Sequence, residues 1–173
     1  MKTQMYEQLG KLLEKYGPQE LGKLCQKFVA IGFRMAGYGH VVERGVQGVD
    51  VDAAEEGGPK YAIEVKTTTK GSVTVERKDI EGLEMRKRDG YEAVLAVLRV
   101  TRFSDWIFVR ADKVKLGSVF VDSLRPYRLC ELEERIRPFI ESASNEHFDG
   151  TMCEGQKYLD EILRQKGIGQ QVS

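Results

Sequence analysis

The stretch from residue 45 to residue 70, GVQGVDVDAAEEGGPKYAIEVKTTTK, restricts the fold more than any other part of the chain. VDVDAA and YAIEVKTTT read as strands, and the short turn-rich EEGGP between them suits antiparallel neighbours. Side chains alternate across a strand, so Asp50 and Asp52 share one face, as do Glu64 and Lys66. Val49, Val51, Ile63 and Val65 are expected on the opposite, core-directed face. Ionisable groups along apolar strands are costly to bury unless they are paired or hold a metal. The hairpin therefore either turns its charges to solvent or builds a site with them.

The surrounding pattern defines the layers. Met5, Leu9, Leu12, Leu13 and Tyr16 recur at helical spacing, and Gly17-Pro18 breaks that helix and starts a second. Leu21, Leu24, Cys25, Phe28 and Val29 form the stripe of the second helix, which is expected to end at Gly32. A strand interrupted by the glycine turn of GYGH leads to the hairpin. A polar helix follows from about Glu76 to Arg88, with Asp89-Gly90 as its stop signal. YEAVLAVL reads as a strand buried on both faces and DWIFVR as a last strand. Beyond about residue 120 the chain reads as helical, with Pro138 expected to bend or divide one helix. This order predicts an α/β fold, a sheet with one helix layer contributed before the hairpin and one after it.

Composition sets limits on function. With 41% hydrophobic and 31% charged residues the chain is globular, and no apolar run is long enough for a membrane span. The N-terminal segment is amphipathic and carries acids, which reads as a helix and not a secretory signal. Three cysteines without metal-finger spacing fit reduced thiols in a cytoplasmic protein. Net charge is zero, yet residues 60–115 hold 13 Lys/Arg against 9 Asp/Glu, a local basic excess that suits a phosphate-bearing partner.

Two carboxylates converging from adjacent strands form an oxygen-rich pocket suited to Mg²⁺ or Mn²⁺. A lysine beside them can orient a water or stabilise an oxyanion. Carboxylates, a hard cation and an amine together suffice to hydrolyse a phosphodiester. The only histidines, His40 and His147, are not placed together by any pattern, and GYGH lacks the Lys-Ser/Thr of a phosphate loop.

At these residues the chain resembles a known family. GVDVDAA followed by YAIEVKTT resembles the motif of the PD-(D/E)xK nuclease superfamily, whose core order matches the one read above. The preceding PQELGKLCQKFVAIGF resembles the first helix of its archaeal Holliday-junction resolvase and restriction-endonuclease-like branches. The likeness covers about residues 18–110. It implies a restriction-endonuclease-like core within residues 1–120 and a helical C-terminal extension over 121–173. It further implies that Asp50, Glu64 and Lys66 are the motif's catalytic residues, and that Asp50, Glu64 and the main-chain carbonyl of Val65 hold Mg²⁺ or Mn²⁺. Glu20 matches the acid many members carry on the first helix. Val49 stands where the motif's name puts proline, and Asp52 is an alternative to Asp50.

The function implied is a metal-dependent DNA endonuclease, structure-specific in the manner of a junction resolvase and serving repair, recombination or defence. The rival is a nuclease fold kept only for nucleic-acid binding or assembly. RNA stays open as a substrate, since no residue is seen to read a 2′-hydroxyl. Two cuts in a duplex or a branched DNA favour a homodimer. The tail, or the 3–16 helix, can supply its interface. The apolar stripes of the tail (Leu132, Ile136, Phe139 and Ile140; Tyr158, Leu159, Ile162 and Leu163) must either fold back on the sheet layer of their own chain or pack against a second subunit. The acidic excess of the region favours the second.

Overall fold

Met5, Leu9 and Leu12 are buried by the first helix, α1 (Lys2–Tyr16), which packs on the longer α2 (Pro18–Met35). Gly17 joins them at φ +83°, a conformation that favours glycine. The computed structural model describes residues 2–44, 48–100 and 105–171; the first residues of the hairpin stretch, 45–47, lie outside the described residues.

The strands β1 (His40–Arg44), β2 (Val51–Ala54) and β3 (Lys60–Thr68) form an antiparallel meander. A short β4 (Ser72–Val75) leads into α3 (Arg77–Arg88). The chain then returns as β5 (Glu92–Arg99), parallel to β3, and β6 (Trp106–Arg110), antiparallel to β5. β7 (Gly117–Phe120) pairs with β4 in a separate two-stranded ribbon. The last segment contains the one-turn α4 (Val121–Leu124), then α5 (Cys130–Glu146), α6 (Phe148–Glu154), α7 (Gln156–Gln165) and β8 (Gly169–Gln171).

β8 pairs with β1 in parallel, so the main sheet runs β6-β5-β3-β2-β1-β8. One face is covered by α1, α2, α5 and α7, and α3 and the β4–β7 ribbon lie over the other. β5 is buried on both faces, as its continuous apolar run predicts. Among the described residues no helix is long and apolar enough to cross a membrane.

Four expectations change on contact with the structure. Gly32 does not end α2. A Cβ there would lie 2.6 Å from Ile140 Cγ1 and 3.0 Å from the Ile140 nitrogen, so its missing side chain lets α5 cross α2 closely. Gly32→Ala should therefore cost about 1–3 kcal/mol as an overpacked contact against backbone, read as a lower Tm. Pro138 lies inside an unbroken α5. Both Pro138 and Glu134, whose carbonyl loses its usual donor, are exposed, so water can take that donor's place.

The tail stripes are not spare surface. Leu132, Ile136, Ile140, Leu159, Ile162 and Leu163 are buried in the same core as α2, and only Phe139 of the α5 stripe is exposed. The apolar reason for placing these helices between two subunits is thereby removed. Val49, finally, does not share a face with Val51, Ile63 and Val65. It packs with Ala62 and Leu83 on the α3 side, because β2 begins only at Val51 and the chain before it bends across the strand end.

Candidate active site

The bend at 48–50 is the feature that assembles the site. The Asp50 N–H donates to the Ile63 carbonyl (3.0 Å), which extends the β2–β3 pairing by one residue. Its carboxylate then turns over β3, where Oδ2 accepts the Val65 N–H at 2.7 Å. A strand residue sends its N–H and C=O to the same side, so the Val65 carbonyl points to the Asp50 side too. Gln26 secures the loop from α2. Its amide donates to the carbonyls of Arg44 (2.8 Å) and Asp50 (3.3 Å) and to the Glu43 carboxylate (3.1 Å).

On the other side Gly82 of α3 lies against Gly48. A Cβ at position 82 would come 2.8 Å from the Gly48 backbone, so only glycine allows the loop this close to the helix.

Glu64 and Lys66 lie on the α3 side of β3, as strand alternation requires. Lys66 Nζ stands 3.3 Å from Glu64 Oε1 and 2.6 Å from Asp79 Oδ2. Asp79 also accepts the Glu76 N–H (2.8 Å), half of the reciprocal cap that starts α3. The lysine is thus tied to a helix N-terminus by a carboxylate that is itself 2% exposed. Sequence reasoning passed over Asp79, whose one local signal is its place three residues after the cap residue Glu76.

Glu64 Oε2 is buried without a hydrogen-bond partner among the described residues. Burial pushes the Glu64 carboxyl up to about 9, with repulsion from Asp50 adding to it. Burial likewise pushes Asp50 up to about 7, against the opposing bond from Val65 and the attraction of Lys66. Burial would lower Lys66, but its bonds to Asp79 and Glu64 outweigh that and raise it. For Asp79, burial raises the carboxyl, while its bonds to Lys66 and Glu76 outweigh it and hold it below its usual range. The arrangement is two carboxylates resisting joint ionisation beside a firmly protonated amine.

These groups line a cleft of about 800 Å³. Gln19, Gly22 and Lys23 of α2 form one wall and Lys78, Gly82 and Met85 of α3 the other. Among the described residues no three His, Cys, Asp or Glu side chains converge as a ready metal cage. The donor set that is present is smaller: Asp50, the unpartnered oxygen of Glu64, and the Val65 carbonyl. It fits Mg²⁺, which usually keeps several waters and takes one or two carboxylates together with substrate phosphate. An uncompensated buried carboxylate oxygen is the group such a cation would satisfy.

The two other acids considered from sequence are drawn elsewhere. Asp52 is 1% exposed and fully engaged. Its Oδ2 meets Arg44 (2.6 Å) and Arg86 (2.8 Å), and Oδ1 accepts Arg86 Nε (3.2 Å). It is a structural counterion, and Arg86, which also lies over the Tyr91 ring, is committed to it. Glu20 is not in the cleft. Gln19, Lys23 and Gln26 occupy the α2 face that lines it, while Glu20 lies about 100° around the helix from Gln19 and accepts Gln156 Nε2 of α7 at 2.8 Å. The histidines stay apart from the cleft, His40 exposed at the start of β1 and His147 beside Tyr158.

No family model and no curated protein matches the chain. Among solved structures it is similar to Hjc, a Holliday junction resolvase from Archaeoglobus fulgidus, with a TM-score of 0.53. The identity is 18%, over 65% of this chain and 95% of that one. The fold is restriction-endonuclease-like. The match spans nearly all of the resolvase and leaves about a third of this chain without a counterpart in it.

Proposed function

We propose that this protein is a metal-dependent nuclease of the PD-(D/E)xK type that hydrolyses phosphodiester bonds in DNA, with branched DNA as its preferred substrate. The observation that carries the reading is the buried Glu64 oxygen, without a partner among the described residues, beside Asp50 and with the Lys66 ammonium paired to the same carboxylate, in the cleft. Asp50, Glu64 and the Val65 carbonyl would hold Mg²⁺ or Mn²⁺. Such a cation polarises a phosphate and lowers the pKa of a water. Lys66, kept protonated by Asp79, offsets charge that develops on the phosphate oxygens. Asp79 keeps the amine in place through its bond to the start of α3, and Gln26 and Gly82 hold the Asp50 loop. Likeness to a resolvase supports DNA as substrate, and branched DNA in particular.

The test is Mg²⁺-dependent nicking of plasmid, followed by a panel of linear, nicked, forked and four-way DNA. Lys66→Ala should lower turnover on the order of 10²–10³-fold while DNA affinity falls only slightly, because the contact is made chiefly in the transition state. Wild-type turnover in that variant would reduce Lys66 to a structural charge. A second reading draws on the tight hold of Asp79 and Glu64 on Lys66, which would serve equally well as a purely structural ion pair. On that reading the fold binds DNA without cutting it, and binding with no nicking in Mg²⁺ or Mn²⁺ would decide for it.

A further inference from the structure

The β4–β7 ribbon takes no part in the chemistry described above. Its inner face is apolar: Val73 and Val75 are buried, and Val119 packs against them. The outer face carries Thr74 directly across from Ser118, and Ser72 directly across from Phe120. Phe120 is 71% exposed, more than any other large apolar side chain among the described residues, and Leu116 just before the strand is 56% exposed.

The charges around this face are unequal. Glu76, Asp112 and Asp122 are each within ion-pair distance of a neighbouring cation, Lys78, Arg110 and Arg125 respectively. Lys70, Arg77, Lys113 and Lys115 are exposed, and none has an acidic partner among the described residues. The ribbon also adjoins the site. It follows β3 directly, and β4 runs into the start of α3, where Lys78 and Asp79 line the cleft.

We infer that the outer face of the β4–β7 ribbon is a docking surface for an unpaired nucleic-acid strand, with Phe120 stacking on a base and Lys70, Arg77, Lys113 and Lys115 neutralising its phosphates. The inference rests on the proposed nuclease function and adds the substrate feature that is read. Charge complementarity selects this occupant. A twofold contact with a second copy would set the same unpaired cations against each other, whereas a polyanion neutralises them. A flat aromatic between hydroxyl and basic side chains suits a base, whose face stacks regardless of sequence.

The test uses wild-type and Phe120→Ala protein in EDTA, so that no DNA is cut. Affinities are measured for a single strand, a blunt duplex, and a duplex with an unpaired flap. Phe120→Ala should weaken single-strand and flap binding roughly tenfold or more and leave the blunt duplex unchanged. Lys113→Gln with Lys115→Gln should reduce the slope of log affinity against log salt by roughly 0.7 per lysine on the single strand. Because Phe120 is exposed, an unchanged Tm should accompany its loss.

Equal affinities of Phe120→Ala and wild type for all three DNAs would overturn the inference and leave the nuclease reading standing. So would unchanged affinities with a lower molar mass by light scattering, which would put a second copy on the ribbon. A wild-type protein that binds none of the three DNAs would overturn the underlying function as well.

Discussion

Asp50→Asn should abolish DNA cleavage, by on the order of 10³-fold or more, without lowering stability. The substitution keeps the shape of the side chain and an oxygen able to accept the Val65 N–H, but removes the negative charge a divalent cation requires. Asp52→Asn should do the reverse. Arg44 and Arg86 would keep their positive charges with no anion between them, at a cost of about 1–3 kcal/mol. Both arginines reach solvent, with side chains 23% and 16% exposed, which keeps the cost below that of a fully enclosed pair. Plasmid nicking and chemical denaturation of the two variants, run side by side, separate these roles. An active Asp50→Asn protein beside an inactive but stable Asp52→Asn protein would exchange the assignments.

The second large effect is a dependence of stability on pH that Mg²⁺ should relieve. Burial holds the Asp50 and Glu64 carboxyls well above their ordinary values of 3.8 and 4.5, raised to about 7 and about 9. Between those limits the folded state binds more protons than the unfolded one, so stability falls as pH rises. The other shifted groups nearby act outside the range from pH 7 to 9. Asp79, held low, contributes stability above its ordinary 3.8 that is lost as pH falls through its folded value. Lys66, held high, contributes stability that is lost only as pH rises above its ordinary 10.5. His147, lowered by burial from 6.5, has lost its proton in both states above pH 7. In EDTA the Tm should therefore drop between pH 7 and pH 9, by about 2–4 °C for each kcal/mol lost in a domain of this size.

Mg²⁺ needs both carboxylates deprotonated, so its stabilisation should be larger at pH 9 than at pH 7. Asp50→Asn should flatten the pH dependence by removing the repulsion and one titrating group, and should largely remove the response to Mg²⁺. A wild-type Tm that stays level across this range in EDTA and ignores Mg²⁺ would contradict the picture of two strained carboxylates awaiting a cation.

Much of this was readable from local pattern alone. Period-two alternation in YAIEVKTT by itself places Glu64 and Lys66 on one face, and strand sterics leave them no alternative. The apolar run of β5 and the stripe of α2 identified the centre of the core, because burial on all sides leaves no room for polar residues. Where local pattern was ambiguous, packing decided. Two acids two positions apart in VDVD are equivalent by alternation. They differ because Gly48 and Gly82 let the loop bend, which carries Asp50 over β3 and leaves Asp52 to two arginines, one of them 34 residues away. Glu20 lost its place to helix phase, which only the direction of α2 across the sheet could set.

β4, β7 and β8 have three or four residues each, too few for a period to show, and exist because a partner strand supplies their hydrogen bonds. Asp79 has the same character. In sequence it is one acid in a polar helix, and it becomes the counterion of Lys66 only when α3 folds back along β3. The sequence by itself determined the layers of the fold and the chemical types gathered in its motif. Tertiary structure decided which carboxylates meet and which cations remain free, since those depend on contacts between residues far apart in the chain.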